Sequence, residues 1–191
     1  MFAGLLPRLR KVGGSLFAIF RPGSQPFYSL AGALLPMLEP DLSETDCLVE
    51  TGKLAEAFTK GEVSLAQVAG RIVEKDPQVS QIQLLIDQFE ELYTLCPEVR
   101  LQEAFIDELL ATVEAARTQL DGSAAFLLTL RADFMGQALS HRPFADALQG
   151  WTGGTYSGRR GREAREPAPA RVHPDPVVGA ADGRLADAWR L

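Results

Sequence analysis

An unbroken apolar run, Leu84-Leu85-Ile86, ends on Asp87, and Glu90 and Glu91 follow three and four residues later. A carboxylate carried to the end of a buried strand can hold Mg²⁺ directly or through water, because magnesium takes one or two carboxylates and keeps much of its hydration. Asp87 is the candidate metal ligand. An acid close by can orient or deprotonate an attacking water, and Glu90 and Glu91 are the candidates for that step. A second apolar run, Phe126-Leu127-Leu128-Thr129-Leu130, ends on Arg131 and continues Ala132-Asp133-Phe134. A cation placed there can meet charge developing on a terminal phosphate. Each feature alone has an ordinary explanation. An acid after a strand caps the next helix, a strand-end arginine is solvated or salt-bridged, and paired glutamates are a solvated face. The two features in order on neighbouring strands are more specific than either.

These groups meet only if both runs are strands of one sheet. Ser15–Phe20 reads as a short buried strand turned by Arg21-Pro22-Gly23. Phe27, Leu30, Ala31, Leu34, Leu35 and Leu38 recur at helical spacing, with Pro26 where a first-turn proline is tolerated. Residues 45–60 predict a helix closed by Gly61. Ser64 and Gln67 make a capping box ahead of Leu65, Val68, Ala69, Ile72 and Val73, and Pro77 requires that helix to end by Asp76. Residues 81–87 predict a strand, and 98–120 an amphipathic helix with Leu101, Phe105, Leu109, Val113 and Leu120 on its stripe. Ala124–Leu130 is the third strand, and residues 2–11 read as the end of a helix stopped by Gly13-Gly14. Nearly continuously apolar strands alternating with helices indicate an α/β fold whose parallel sheet is covered on both faces. Function gathers beyond the carboxyl ends of such strands, where Asp87 and Arg131 both lie.

The 191 residues are 46% hydrophobic with a net charge of −6, enough for one domain with a real core and without the basic patch a nucleic acid requires. Cys47, Cys96, His141 and His173 fit no zinc spacing and imply a reducing compartment. We read Cys96 as a small buried residue and His141 as a surface or capping residue. Trp151 and Trp189 carry little weight. No apolar run is long enough to span a bilayer, and the charges Arg8, Arg10 and Lys11 follow the first apolar residues instead of preceding them. The expectation is a cytoplasmic protein without membrane contact.

Composition breaks near Gly150. Residues 1–150 carry 12 basic and 20 acidic side chains, whereas the last 41 residues carry 7 arginines against 5 acids, and 24 of them are Gly, Ala, Pro or Arg. Such a segment buries too little apolar surface to offset the entropy of ordering it. The expected organisation is a domain over 1–149 and a low-complexity, disordered tail over 150–191, either natural or the product of a shifted reading frame.

Asp87-Gln88-Phe89-Glu90-Glu91-Leu92 and Leu130-Arg131-Ala132-Asp133-Phe134 resemble the Walker B and sensor segments of the novel STAND NTPase domain, often fused to WD repeats or other modules in bacterial proteins. The first also has the Asp-x-x-acid-acid spacing of NACHT NTPases. Ala3-Gly4-Leu5-Leu6-Pro7-Arg8-Leu9 resembles the family's helix after the Walker A motif. Arg21-Pro22-Gly23 with Pro26-Phe27 and Leu30-Ala31 is similar to its second strand and helix. The likeness covers residues 2–149. It implies a partial three-layer P-loop fold, ATP with Mg²⁺, slow hydrolysis, nucleotide-controlled signalling, and fused sensor or effector partners. It assigns Asp87 to the metal, Glu90 and Glu91 to catalysis and Arg131 to the nucleotide. One departure is large: no Gly-x-x-x-x-Gly-Lys-Ser/Thr occurs, and Gly52-Lys53 is followed by Leu54. The family's phosphate-binding loop would precede Phe2, so hydrolysis by this chain is not expected. The alternative is a small α/β interaction module that never meets nucleotide. In the family's topology the sensor strand is flanked by the strand leading into that loop. Ala124–Leu130 is therefore expected to show an open edge that drives self-association, Val177-Val178 being too short to replace the missing strand.

Overall fold

Strand β1, Ser15–Phe20, emerges from Gly14, whose φ of +70° is a conformation that glycine reaches without strain. The computed structural model describes residues 14–118, 124–154 and 177–180. After β1 come helices α1 (Pro26–Leu38), α2 (Glu44–Lys60) and α3 (Leu65–Lys75). Then follow β2 (Gln81–Ile86), the short α4 (Glu91–Thr94), α5 (Val99–Thr118) and β3 (Ala124–Leu130). A 3₁₀ turn over Ala132–Phe134 leads to α6 (Met135–Ser140), α7 (Arg142–Gly154) and β4 (Val177–Ala180).

Local chemistry sets these bounds. Pro26 opens α1, and Ser43 caps α2 by accepting from the Asp46 amide. Gly61, at φ +69°, closes α2 in the left-handed conformation. The predicted capping box is complete: the Ser64 hydroxyl accepts from Gln67 N, and the Gln67 side chain accepts from Ser64 N. Leu120 and residues 2–11 lie outside the described residues. The composition break at Gly150 falls inside α7.

The sheet runs β1-β2-β3-β4, the first three strands parallel. Phe20 is level with Ile86, and Ile86 with Leu128. Side chains alternate between faces. One face, with Ala18, Phe20, Ile82, Leu84, Ile86, Phe126, Leu128 and Leu130, joins a single core with Phe27, Leu30 and Leu34 of α1, Leu65 and Ile72 of α3, and Phe105 of α5. Both crossovers advance the same way along the sheet, so the right-handed rule places their helices together on that face. The other face carries Ile19, Leu85, Ala125 and Leu127, and at its carboxyl end Arg21, Asp87, Thr129 and Arg131.

The expected open edge on β3 is corrected. Val177–Ala180 pairs antiparallel with Leu127–Leu130, Val177 opposite Leu130 and Ala180 opposite Leu127. Four residues suffice because an antiparallel partner needs no crossover helix, and Pro174 and Pro176 lie ahead of the paired stretch. Among the described residues the ladder covers Leu127–Leu130.

Candidate functional site

The chain leaves β2 under tight backbone control. Asp87 N donates to Phe20 O at 2.9 Å, tying its backbone to the end of β1. Gln88 follows at φ +54°, left-handed backbone that a residue with a Cβ seldom adopts. It is held there from β3. Gln88 N donates to Thr129 Oγ1 at 2.9 Å, and Phe89 N donates to Thr129 O at 2.8 Å. Phe89 is fully buried and stacks on Phe144 of α7 with centroids 5.8 Å apart, which anchors the turn into the core.

Asp87 sits at the centre of this edge. Its Oδ1 accepts from the Thr129 hydroxyl at 2.9 Å, so the one hydroxyl both receives the Gln88 amide and orients the carboxylate. Its Oδ2 faces Arg21 Nη2 of β1's end at 3.5 Å; the side chains are 24% and 56% exposed. Glu90 Oε2 accepts from Arg131 N at 3.3 Å, linking the acidic turn to the end of β3. The Arg131 guanidinium turns outward to Asp133 Oδ2 at 2.7 Å and lies 5.6 Å from the centre of the Phe134 ring.

The parallel pairing of β2 with β3 thus brings Asp87 and Arg131 to the same sheet edge, and Glu90 reaches Arg131 through its backbone. The Arg131 side chain does not touch Asp87: a carboxylate two residues along its own chain holds it. Glu91 opens α4, its amide donating to Gln88 O at 2.9 Å, and no described hydrogen bond ties its carboxylate to Asp87, Glu90 or Arg131.

Two members of the site escaped the sequence reading, Thr129 and Arg21. Thr129 is the one polar side chain in the otherwise apolar run Ala124–Leu130, which was a visible signal. Arg21, like Asp87 and Arg131, is the first charged residue after a strand. Beside the site, the Tyr93 hydroxyl is buried without a partner, and burial pushes it up to about 12. Cys96 is buried, as expected. His141 caps α7, its Nδ1 accepting from Phe144 N at 3.4 Å, but its side chain is only 14% exposed and packs beside Asp107 instead of lying on the surface. Lys53 of the Gly52-Lys53 pair is a helix-surface residue paired with Glu50.

Among the described residues no group of three or more His, Cys, Asp or Glu converges as a metal cage. The donor set fits the sparser demand of magnesium, which needs one or two carboxylates and fills its remaining positions with water or phosphate oxygens. Asp87 supplies such a carboxylate: Thr129 orients its Oδ1, the Arg21 guanidinium lies by its Oδ2, and the side chain is 24% exposed. No described helix is long and apolar enough to cross a membrane.

No curated protein and no solved structure matches the chain. The family model of Novel STAND NTPase 1 matches residues 1–160, past the composition break and across every element from β1 through α7. With most of its length matched, a parallel α/β sheet in place and its charged residues gathered at one sheet edge, the chain belongs to the novel STAND NTPase 1 family.

Proposed function

We propose that this chain carries the cation- and phosphate-facing edge of a STAND nucleotide switch, with Asp87-Gln88-Phe89-Glu90-Glu91 as its Walker B segment and Arg131 as its sensor residue. The supporting observation is the parallel β2–β3 register, which aligns Asp87, Thr129 and Arg131 on one face at one edge. In this reading Asp87 holds Mg²⁺ through Oδ2, directly or through water, while Thr129 fixes the carboxylate. An ion held there would supply positive charge against that of phosphate. Glu90 or Glu91 orients the attacking water. Arg131 leaves Asp133 and turns toward the terminal phosphate, where a cation lowers the cost of developing charge.

Phosphoryl transfer rests almost wholly on positioning and charge stabilisation. No Gly-rich loop and lysine occur within the 191 residues, so backbone amides do not cradle the phosphates and hydrolysis is not expected from this chain by itself. The test is titration of the full chain with Mg-ATP, followed by amide NMR, calorimetry and phosphate release. The expected result is weak binding with shifts confined to residues 86–90 and 129–133, and no phosphate released. Micromolar affinity would overturn the account of the missing loop. The second reading, an interaction module, draws support from the internal pairing of both strand-end arginines, Arg21 with Asp87 and Arg131 with Asp133. An amide spectrum untouched by millimolar Mg-ATP would favour that reading.

A further inference from the structure

The carboxylate read as the cation ligand already has a counterion. β1 and β2 are in register to their last residues, Phe20 opposite Ile86, so Arg21 and Asp87 leave adjacent strands side by side on the same face. The hydrogen bond from Asp87 N to Phe20 O fixes the two backbones at this level. Of the two carboxylate oxygens, Oδ1 is committed to Thr129, which leaves Oδ2 for a metal. Oδ2 is the oxygen that Arg21 reaches.

We propose that Arg21 is the resident counterion of Asp87 and competes with a divalent cation for its Oδ2. The inference rests on the reading of Asp87 as cation ligand and adds a control on it: the ion enters by displacing a guanidinium. The geometry suits displacement. The contact is single, long at 3.5 Å, and made by a side chain 56% exposed, with none of the two-pronged geometry that makes arginine–carboxylate pairs strong. Only the Arg21 side chain has to move, because Asp87 stays clamped by Thr129 and by its own amide. Arg131 cannot take over the role while Asp133 holds it.

The test uses the full chain and Mn²⁺ alone, read by water-proton relaxation and by paramagnetic broadening of the amides at 86–89 and 129–131. Arg21→Gln should bind Mn²⁺ about five-fold more tightly than the parent, the scale of one unit charge near 4 Å in a high dielectric. Arg21→Lys, which keeps the charge, should stay near the parent affinity. Arg71→Gln, on the far surface of α3 and paired with Glu74, should match the parent, and Asp87→Asn should lose the local broadening. If Arg21→Gln binds no more tightly than the parent while Asp87→Asn loses binding, competition is refuted and Asp87 stands as a ligand. If Asp87→Asn keeps both affinity and broadening, or if neither the parent nor Arg21→Gln broadens those amides, the cation reading of Asp87 falls and the competition falls with it.

Discussion

Replacing Thr129 with valine keeps the shape of the side chain and removes one oxygen. That oxygen makes two hydrogen bonds in a place 4% exposed, donating to Asp87 Oδ1 and accepting from Gln88 N. Losing a hydrogen bond to a charged group costs about 1.5–3 kcal/mol, and a buried amide left unpaired costs about 1–3 kcal/mol. Water reaches Asp87, which is 24% exposed, and recovers part of the first term. The expected loss for Thr129→Val is therefore about 2–4 kcal/mol, a large share of the stability of an ordinary domain. Thr129→Ser retains both bonds and loses one methyl group, worth about 1 kcal/mol. Equilibrium urea unfolding followed by far-ultraviolet circular dichroism measures both variants, with the slope against urea expected to be unchanged. If valine costs less than about 1 kcal/mol, or serine costs as much as valine, the hydroxyl does not clamp this edge and the reasoning fails.

Two further outcomes follow from named groups. Tyr93→Phe removes a hydroxyl buried without a partner, so it should leave the protein at least as stable at neutral pH. Burial holds the folded Tyr93 at about 12, above the ordinary tyrosine value. The unfolded chain ionises first, so the folded state loses stability as pH rises from about 10 toward 12. The parent's melting temperature should therefore fall more steeply than the variant's over that window, and identical profiles would contradict the burial argument. Gly179→Pro removes a donor from the ladder opposite Leu128 and bares the apolar edge of β3. Size-exclusion chromatography at micromolar concentration should show more self-association than the parent, and an unchanged elution would mean that β4 does not protect that edge.

The parts of the fold set by a segment's own residues were legible. Ser15–Phe20, Gln81–Ile86 and Ala124–Leu130 are nearly continuous apolar runs, broken at Ser15, Gln81, Gln83 and Thr129, which is the signature of a buried parallel strand. Ser64, Gln67, Gly61 and Pro26 marked helix ends through chemistry that acts within a few residues. What stayed hidden depends on partners distant in sequence. Val177-Val178 reads as too short because its strand character comes from β3, across the whole of α6 and α7. The pairing of Arg21 with Asp87 follows from strand register, and the left-handed backbone of Gln88 from Thr129 on another strand. Nothing in a glutamine announces either. Asp87 and Arg131 lie at the expected edge, yet the outward turn of Arg131 is set by Asp133, a competitor two residues along the same segment.

The antiparallel strand at the end of the sheet also divides the fold into two kinetic classes. β1, β2 and β3 are joined through helices that pack on the same core, so each pairing is supported by burial made along the way. β4 differs in pairing antiparallel, through four residues at the end of the sheet. Its four residues lie far along the chain from β3, and the entropy of bringing such distant segments together weighs against one short ladder. It therefore docks after the parallel sheet has formed and is the first strand to leave. Each departure opens a vacancy beside Leu127–Leu130 that the same four residues of a neighbouring molecule fit equally well. The late strand that shields each molecule from its neighbours is thus also the piece they are best able to exchange.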